Sequence, residues 1–390
     1  MSKAGKIAVG SLCARVTSGG TPSTKHPEYY GGTIPWLRTQ EVDFKPIYDT
    51  EIHITDLGLE NSSAKWIPAN SVIVAMYGAT AGRIAIAKVP LTTNQACCNL
   101  IVDPQKADYR YVYYALMHNY VELSGRAKGS AQTNLNAGLV KEFEIPDFGL
   151  PTQKRIADIL SAYDDLIENN RRRIALLEET ARKVYRKRFG GEKADGTMMD
   201  IAEVCDTIGG GTPNTSISEY WEGGTIPWVV PTDVTRNTSL ILLDTERKIT
   251  QKGLESSSSR MLPAQSILMT SRASVGYFAI ANFPVCTNQG FISIVPHEEN
   301  MRYYLLHNLM ERVEEIRSNA KGSTFPEISK TRFRSLKIKV PSQDALNDFQ
   351  MIVEPIYEQV QTLAGAMRKL VESRDMLLPK LMSGESRARR

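Results

Sequence analysis

Apolar positions fall into two kinds of pattern, and the chain passes through both of them twice. In residues 1–150 and 191–340 they come in short runs, such as 71–76 and 266–269, punctuated by Gly, Pro, Asn and Ser. Runs of that length between turn formers predict strands. Late in each region, residues 109–123 and 301–316 carry helical apolar spacing with no breaker, which predicts one helix apiece. Each globular region is therefore expected to be α+β.

Residues 151–190 and 341–390 follow the second pattern. Pro151-Thr152-Gln153 and Pro341-Ser342-Gln343 offer helix starts. Behind the first, Ile156, Leu160, Tyr163, Ile167, Asn170, Ile174, Leu177, Ala181 and Val184 step by alternating four and three residues, an unbroken heptad seam. Behind the second come Phe349, Val353, Ile356, Val360, Leu363, Met367, Leu370, Arg374 and Leu377, each at one constant offset from its counterpart. Two seams in one register, each following its own globular region, predict an antiparallel coiled coil about a pseudo-twofold axis. Asn170 opposes Leu363 in that alignment. It either fixes the register at some loss of stability or sits solvated at the seam's edge. Pro355 removes a helical hydrogen bond, so a kink or a restart is expected near Val353. Roughly 35 helical residues span about 50 Å, comparable to roughly 15 base pairs of DNA.

The two globular regions are copies of one another. Gly19-Gly20-Thr21-Pro22 recurs as Gly210-Gly211-Thr212-Pro213, and the Gly-Gly-Thr-Ile-Pro-Trp of 31–36 recurs at 223–228. Gly58-Leu59-Glu60, Pro68-Ala69, Ala85-Ile86-Ala87, Thr93-Asn94-Gln95 and Lys128-Gly129-Ser130 all return in the same order in the second half. The order makes this a duplicated unit: a globular domain over residues 1–150, a spacer helix over 151–190, a second globular domain over 191–340, and a spacer helix with tail over 341–390.

Composition narrows the partners. With 42% hydrophobic and 23% charged residues the chain can fill two cores, and a net charge of +4 leaves nucleic-acid binding to local patches. Cysteines 13, 97, 98, 205 and 286 show no paired C-x-x-C spacing, which speaks against a disulfide framework or a zinc site. The five histidines lack metal-ligand spacing, and His118-Asn119 and His307-Asn308 read as matching helix positions. There is no secretory leader pattern in residues 1–16 and no run of 18 apolar residues, so a soluble, cytoplasmic protein is expected.

Globular domain, long helix, globular domain, long helix, with a twofold Gly-Gly-Thr-Pro, a twofold Ile-Pro-Trp, proline-led helices and the ending Leu377-Leu378-Pro379-Lys380-Leu381-Met382-Ser383-Gly384, resembles the specificity subunits of type I restriction-modification systems. The resemblance covers essentially the whole chain and rests on the order of the motifs. It implies two target-recognition domains, each reading half of a split, asymmetric site in double-stranded DNA, and helices that set the unread gap. It further implies two modification subunits docked on the helices, and restriction subunits. S-adenosylmethionine, ATP and Mg would then belong to those partners, with no cofactor or metal in this chain and no membrane contact. In agreement, there is no Asn-Pro-Pro-Tyr methylation motif, no Gly-rich cofactor loop and no phosphate loop. Two other readings compete, a stand-alone DNA-modifying enzyme and a coiled-coil scaffold with tandem binding modules.

Candidate DNA contacts are sought where the copies differ amid similarity, as two unlike half-sites demand. Arg38, Thr39 and Gln40 stand where the second copy has Thr232 and Asp233; Arg suits guanine and Gln suits adenine in the major groove. Tyr77, Thr80 and Arg83 stand against Ser271, Arg272, Ser274 and Tyr277 in a loop between apolar runs. Lys128, Ser130, Gln132 and Asn134, with Lys321 and Ser323, suggest phosphate anchoring beside variable readout. Thr21 and Thr212 could meet phosphate through the glycine-rich turns, or those turns could serve folding alone. Trp36 and Trp228, each behind a proline, could stack on or contact a groove, but read rather as core anchors. Arg171-Arg172-Arg173 and the Arg182–Arg188 cluster face either DNA, acidic partners or solvent.

Overall fold

The computed structural model describes residues 5–126, 134–190, 195–322 and 326–384. Its compact units do not follow the chain halves. One comprises residues 1–165 and 370–390, the other residues 166–369, so each takes a piece of both long helices.

In the first unit, apolar runs bounded by Gly and Pro form a five-stranded sheet in the order Cys13–Ser18, Cys97–Val102, Val72–Ala75, Ile84–Ala87, Lys45–Ile47. Only the last pair is parallel. A smaller sheet orders His53–Ile54, Tyr30–Leu37, Leu91–Thr93 and Trp66–Ile67. The second unit repeats the plan. Its large sheet runs Cys205–Gly209, Phe291–Pro296, Ile267–Thr270, Phe278–Ala281, Ile241–Leu242, and its small sheet Arg247–Ile249, Ile226–Val229, Cys286–Thr287. An isolated Leu262–Val285 bridge stands where the first unit has its fourth small-sheet strand.

The helix expected over 109–123 is two, Tyr109–His118 and Tyr120–Gly125, and that over 301–316 is Arg302–Glu311 followed by Val313–Ser318. Asn119 and Arg312 make the breaks with nearly equal backbone angles, φ −95° and −105° with ψ 20°. Apolar spacing carried across the break because the second pieces still bury Leu123 and Ile316. These breaks also correct the histidine alignment. Tyr111 and Tyr304 make the same hydroxyl bond to the following edge strand, at Pro146 O and Lys339 O. His307 therefore matches Tyr114, and His118 matches Glu311.

The two long helices, Leu150–Phe189 and Gln343–Met382, each have 40 residues. Pro355 causes no restart: the helix runs through it. The proline is exposed, and the carbonyl it cannot serve belongs to Met351, whose side chain is 68% exposed, so water can replace the lost bond. In the first unit Ile156 and Leu160 share a core with Leu378, Leu381 and Met382, and Leu377 packs on it. In the second, Ile174, Leu177, Ala181 and Val184 join Phe349, Val353, Ile356, Val360, Leu363 and Met367. The start of one helix thus meets the end of the other, the antiparallel pairing the seams predicted. Tyr163 and Leu370 are half-buried, and Ile167 and Asn170 are buried. A second stripe that the heptad did not reveal, including Ala157, Tyr185, Leu346 and Tyr357, docks the helices on the globular domains.

At that docking surface the copies differ. In the first unit the Tyr114 hydroxyl donates to Asp164 Oδ2 at 2.5 Å and Arg374 donates to Asp164 Oδ1 at 2.6 Å. The matching residues in the second unit are His307, Tyr357 and Ala181. There the Tyr357 hydroxyl meets His307 Nε2 at 3.1 Å, Tyr357 stacks on Tyr303 at 4.7 Å, and Tyr185 stacks on His307 at 5.7 Å.

Candidate nucleic-acid interface

The shared motifs prove to be a latch built identically in both units. The Trp36 indole donates to Gly20 O at 2.9 Å, Gly20 N–H donates to Thr93 O at 2.9 Å, and the Thr21 hydroxyl donates to Gln95 Oε1. In the second unit Trp228 bonds Gly211 O at 2.9 Å, Gly211 N–H bonds Thr287 O at 2.9 Å, and Thr212 bonds Gln289. A Cβ on Gly19 would stand 1.9 Å from Thr93 O, and one on Gly210 would stand 2.1 Å from Asn288 O, so both first glycines are fixed by close backbone approach. Both tryptophans are core anchors. Thr21 and Thr212 are exposed, but their hydroxyls are already engaged within the latch.

The latch ends in a turn gripped by a carboxylate. Glu41 accepts the Arg38 N–H at 3.2 Å and the Glu51 N–H at 2.9 Å; Asp233 accepts the Val230 N–H at 2.8 Å and the Glu246 N–H at 3.1 Å. Asp233 therefore corresponds to Glu41 and is a backbone clamp with both oxygens used. Glu51 and Glu246 end a second shared motif, Asp49-Thr50-Glu51 and Asp244-Thr245-Glu246, in which each threonine hydroxyl bonds a carbonyl two residues on at 2.7 Å. Reading the sequence for repeats missed this pair, although Asp-Thr-Glu is present in both copies. What the clamp presents differs: Gln40 is exposed in one unit and Thr232 in the other. Arg38 is half-buried and bonds Glu51 at 2.7 Å, and Thr39 is half-buried beside it.

The loop after the central strand also differs. Tyr77 is 42% exposed and Tyr277 44%, but they stand at opposite ends of their loops. Gly78 and Gly82, and in the other unit Ala273 and Gly276, adopt positive φ between 61° and 87°, which holds the loops in tight turns. Arg83 pairs with Asp43 at 2.7 Å and Arg272 with Glu327 at 2.9 Å. Thr80 is half-buried and Ser274 exposed, whereas Ser271 is buried and offers no side chain to the surface. Asn134 bridges to Tyr77, which brings the two candidate segments of the first unit together, and Lys321 bridges to Glu327 beside Arg272 in the second. Lys128, Ser130, Gln132 and Ser323 lie outside the described residues.

On the helices the basic clusters are largely paired. Arg171 and Arg172 bond Glu168, and Arg182 and Arg186 both bond Glu311, holding that carboxyl below its usual range against the effect of burial. Burial pushes the Cys98, Cys205 and Cys286 thiols up to about 12, so these side chains are not reactive thiolates at neutral pH. Among the described residues no group of three or more His, Cys, Asp or Glu is arranged to hold a metal ion, and no helix is long and apolar enough to cross a membrane.

A duplicated α+β frame that displays unlike polar residues at matching turns, on two antiparallel helices, is the architecture of a two-part recognition protein. The chain belongs to the family described as type I restriction modification DNA specificity domain, whose model matches residues 2–179 and 194–356. It is similar to the type I restriction enzyme MjaIX specificity subunit of Methanocaldococcus jannaschii, 27% identical over 95% of this chain and 91% of that one. It is also similar to the EcoR124I/EcoR124II specificity subunit of Escherichia coli, 26% identical over 68% of this chain and 66% of the relative. The fold matches the crystal structure of a type I restriction-modification S subunit from M. genitalium with TM-score 0.60 at 19% identity, covering 97% of this chain and 95% of that chain.

Proposed function

We propose that this chain is the non-catalytic subunit that reads a split, asymmetric DNA sequence, one half through each globular domain, and directs adenine methylation and restriction by partner subunits. Two modification subunits would dock on the helices, and restriction subunits would join them. In this reading S-adenosylmethionine, ATP and Mg serve the partners, and the complex works in the cytoplasm, where the DNA is.

The observation that carries the reading is one frame with two displays. The latch, the carboxylate clamp and the large-sheet order repeat at matching positions, while the exposed side chain at the clamped turn changes from Gln40 to Thr232. A frame that served only folding would not need two unlike displays, whereas two half-sites do. Each 40-residue helix spans about 60 Å, long enough to hold the readers apart over an unread gap.

Mapping methylated adenines in the host genome with and without the gene tests the reading. A split site that vanishes with the gene supports it. Gln40→Ala should then relax one half of that site and leave the other half and the gap untouched. Loss of both halves together would sink the division of labour.

A further inference from the structure

Beside the second latch lies an open cleft of about 390 Å³ lined by Thr207, Gly209, Gly210, Ser258, Arg260 and Lys330. Its chemistry is that of an anion site. Arg260 and Lys330 are exposed, and among the described residues neither has an acidic partner, unlike Arg83, Arg272 or the helix arginines. The Thr207 hydroxyl is buried in the wall and lacks a hydrogen-bond partner among the described residues. At Gly209 nothing lies within 4 Å of the place a Cβ would take, which leaves the backbone there open to close approach. Among the described residues no acidic side chain lines the cleft.

The first unit carries only a fraction of this set. Strand pairing matches Val16, opposite Leu100, to Thr207, opposite Ile294. Lys65 stands for Arg260, one residue after the matching Ala64 and Ser259, and Ala137 stands for Lys330, each just after its helix-capping Asn136 or Ser329.

We propose that the Thr207–Arg260–Lys330 cleft binds the phosphodiester backbone of the target duplex, giving the second recognition domain a stronger, sequence-independent anchor than the first. Arg260 and Lys330 neutralise phosphate charge at the rim. The proposal rests on the recognition reading above. It adds an asymmetry: the second unit grips first and the first unit completes discrimination.

The test uses the full chain assembled with its modification subunits and a duplex carrying the mapped site. Arg260→Gln and Lys330→Gln should each make the slope of log affinity against log salt shallower by about 1, and the double variant by about 2, with the methylated sequence unchanged. Thr207→Val, which installs the residue the first unit already tolerates, should leave the salt slope unchanged, since the threonine carries no charge. Replacing single phosphates by neutral methylphosphonates should weaken the wild-type complex at one short stretch of backbone and leave the double variant indifferent there. Unchanged salt slopes in the Arg260 and Lys330 variants, equal methylphosphonate sensitivity in both proteins, or an altered recognition sequence would each overturn the cleft. A wild-type complex with no sequence preference would instead overturn the recognition reading, and the salt slopes on nonspecific DNA would still decide the cleft.

Discussion

At one structural position the first unit holds Asp164 and the second Tyr357, and the neighbours of each have followed suit. Around Asp164 stand Tyr114 and Arg374, a charged network whose arginine is 15% and aspartate 22% exposed. Around Tyr357 stand His307, Tyr303 and Tyr185, with Ala181 where the arginine would be. Both arrangements seat a helix on its globular domain. They differ in what they tolerate: a charged network fails when one member is removed, because the remaining charge stays unpaired, while an aromatic cluster loses packing in smaller steps.

The sharpest test is Asp164→Ala. It takes the acceptor from the Tyr114 hydroxyl and leaves Arg374 with Asp375 alone, 2.8 Å away, and should destabilise the first unit by about 3 kcal/mol, the lower end of the range for breaking a buried pair since this one is partly solvated and the arginine keeps a second carboxylate. Removing Arg374 as well should recover some of that loss in denaturant unfolding; additive losses would show that the three residues do not act as a network.

Acid should strike the other unit. Burial lowers His307 to about 4, with Glu311 opposing and Arg182 adding to the effect. The unfolded chain takes up that proton near pH 6.5 and the folded chain only near 4, so the second unit loses stability as pH falls through this window, by up to about 3 kcal/mol. His307→Gln should flatten the dependence of its melting temperature between pH 7 and 5. An unchanged profile would place the acid sensitivity elsewhere.

A half-chain of residues 1–195 sharpens the same comparison. Without the second long helix its seam is bare, and a second copy is expected to cover it. In that homodimer Ala181 would take the place of Arg374 opposite Asp164. Ala181→Arg should therefore tighten the dimer roughly tenfold, measured by analytical ultracentrifugation; a monomer, or a dimer indifferent to the substitution, would break the proposed equivalence. The smallest effect is expected of Tyr357→Phe, which keeps the stacking and loses one hydrogen bond, about 1 kcal/mol by calorimetry.

Much of the frame was legible in the sequence because it rests on periodicity and repetition. The heptad seams follow from spacing, the duplicated sheets from the repeated motifs, and the antiparallel pairing from each seam following its own globular copy. Three features were hidden for physical reasons. Asn119 and Arg312 interrupt helices without a Gly or Pro, since any residue adopts those angles. Pro355 breaks nothing because its lost bond faces water. Asp233 looked like a reader because a carboxylate that clamps backbone and one that accepts from a base are the same letter. The candidate surface was only partly legible: Gln40, Thr232 and both tyrosines are exposed, Ser271 is not, and the cations of the cleft come from segments far apart in the chain.

The clamp bonds of Glu41 and Asp233 go to main-chain N–H groups, Glu41 adds an ion pair to the Arg38 side chain at 3.9 Å, and none of these contacts involves the side chain of Gln40 or Thr232. The clamp is therefore blind to the identity of the residues it displays. A substitution at position 40 or 232 changes what the surface says without asking the core for compensation, so such positions can drift through alternatives while the protein stays folded. In the proposed reading, new half-site preferences are then reachable one residue at a time.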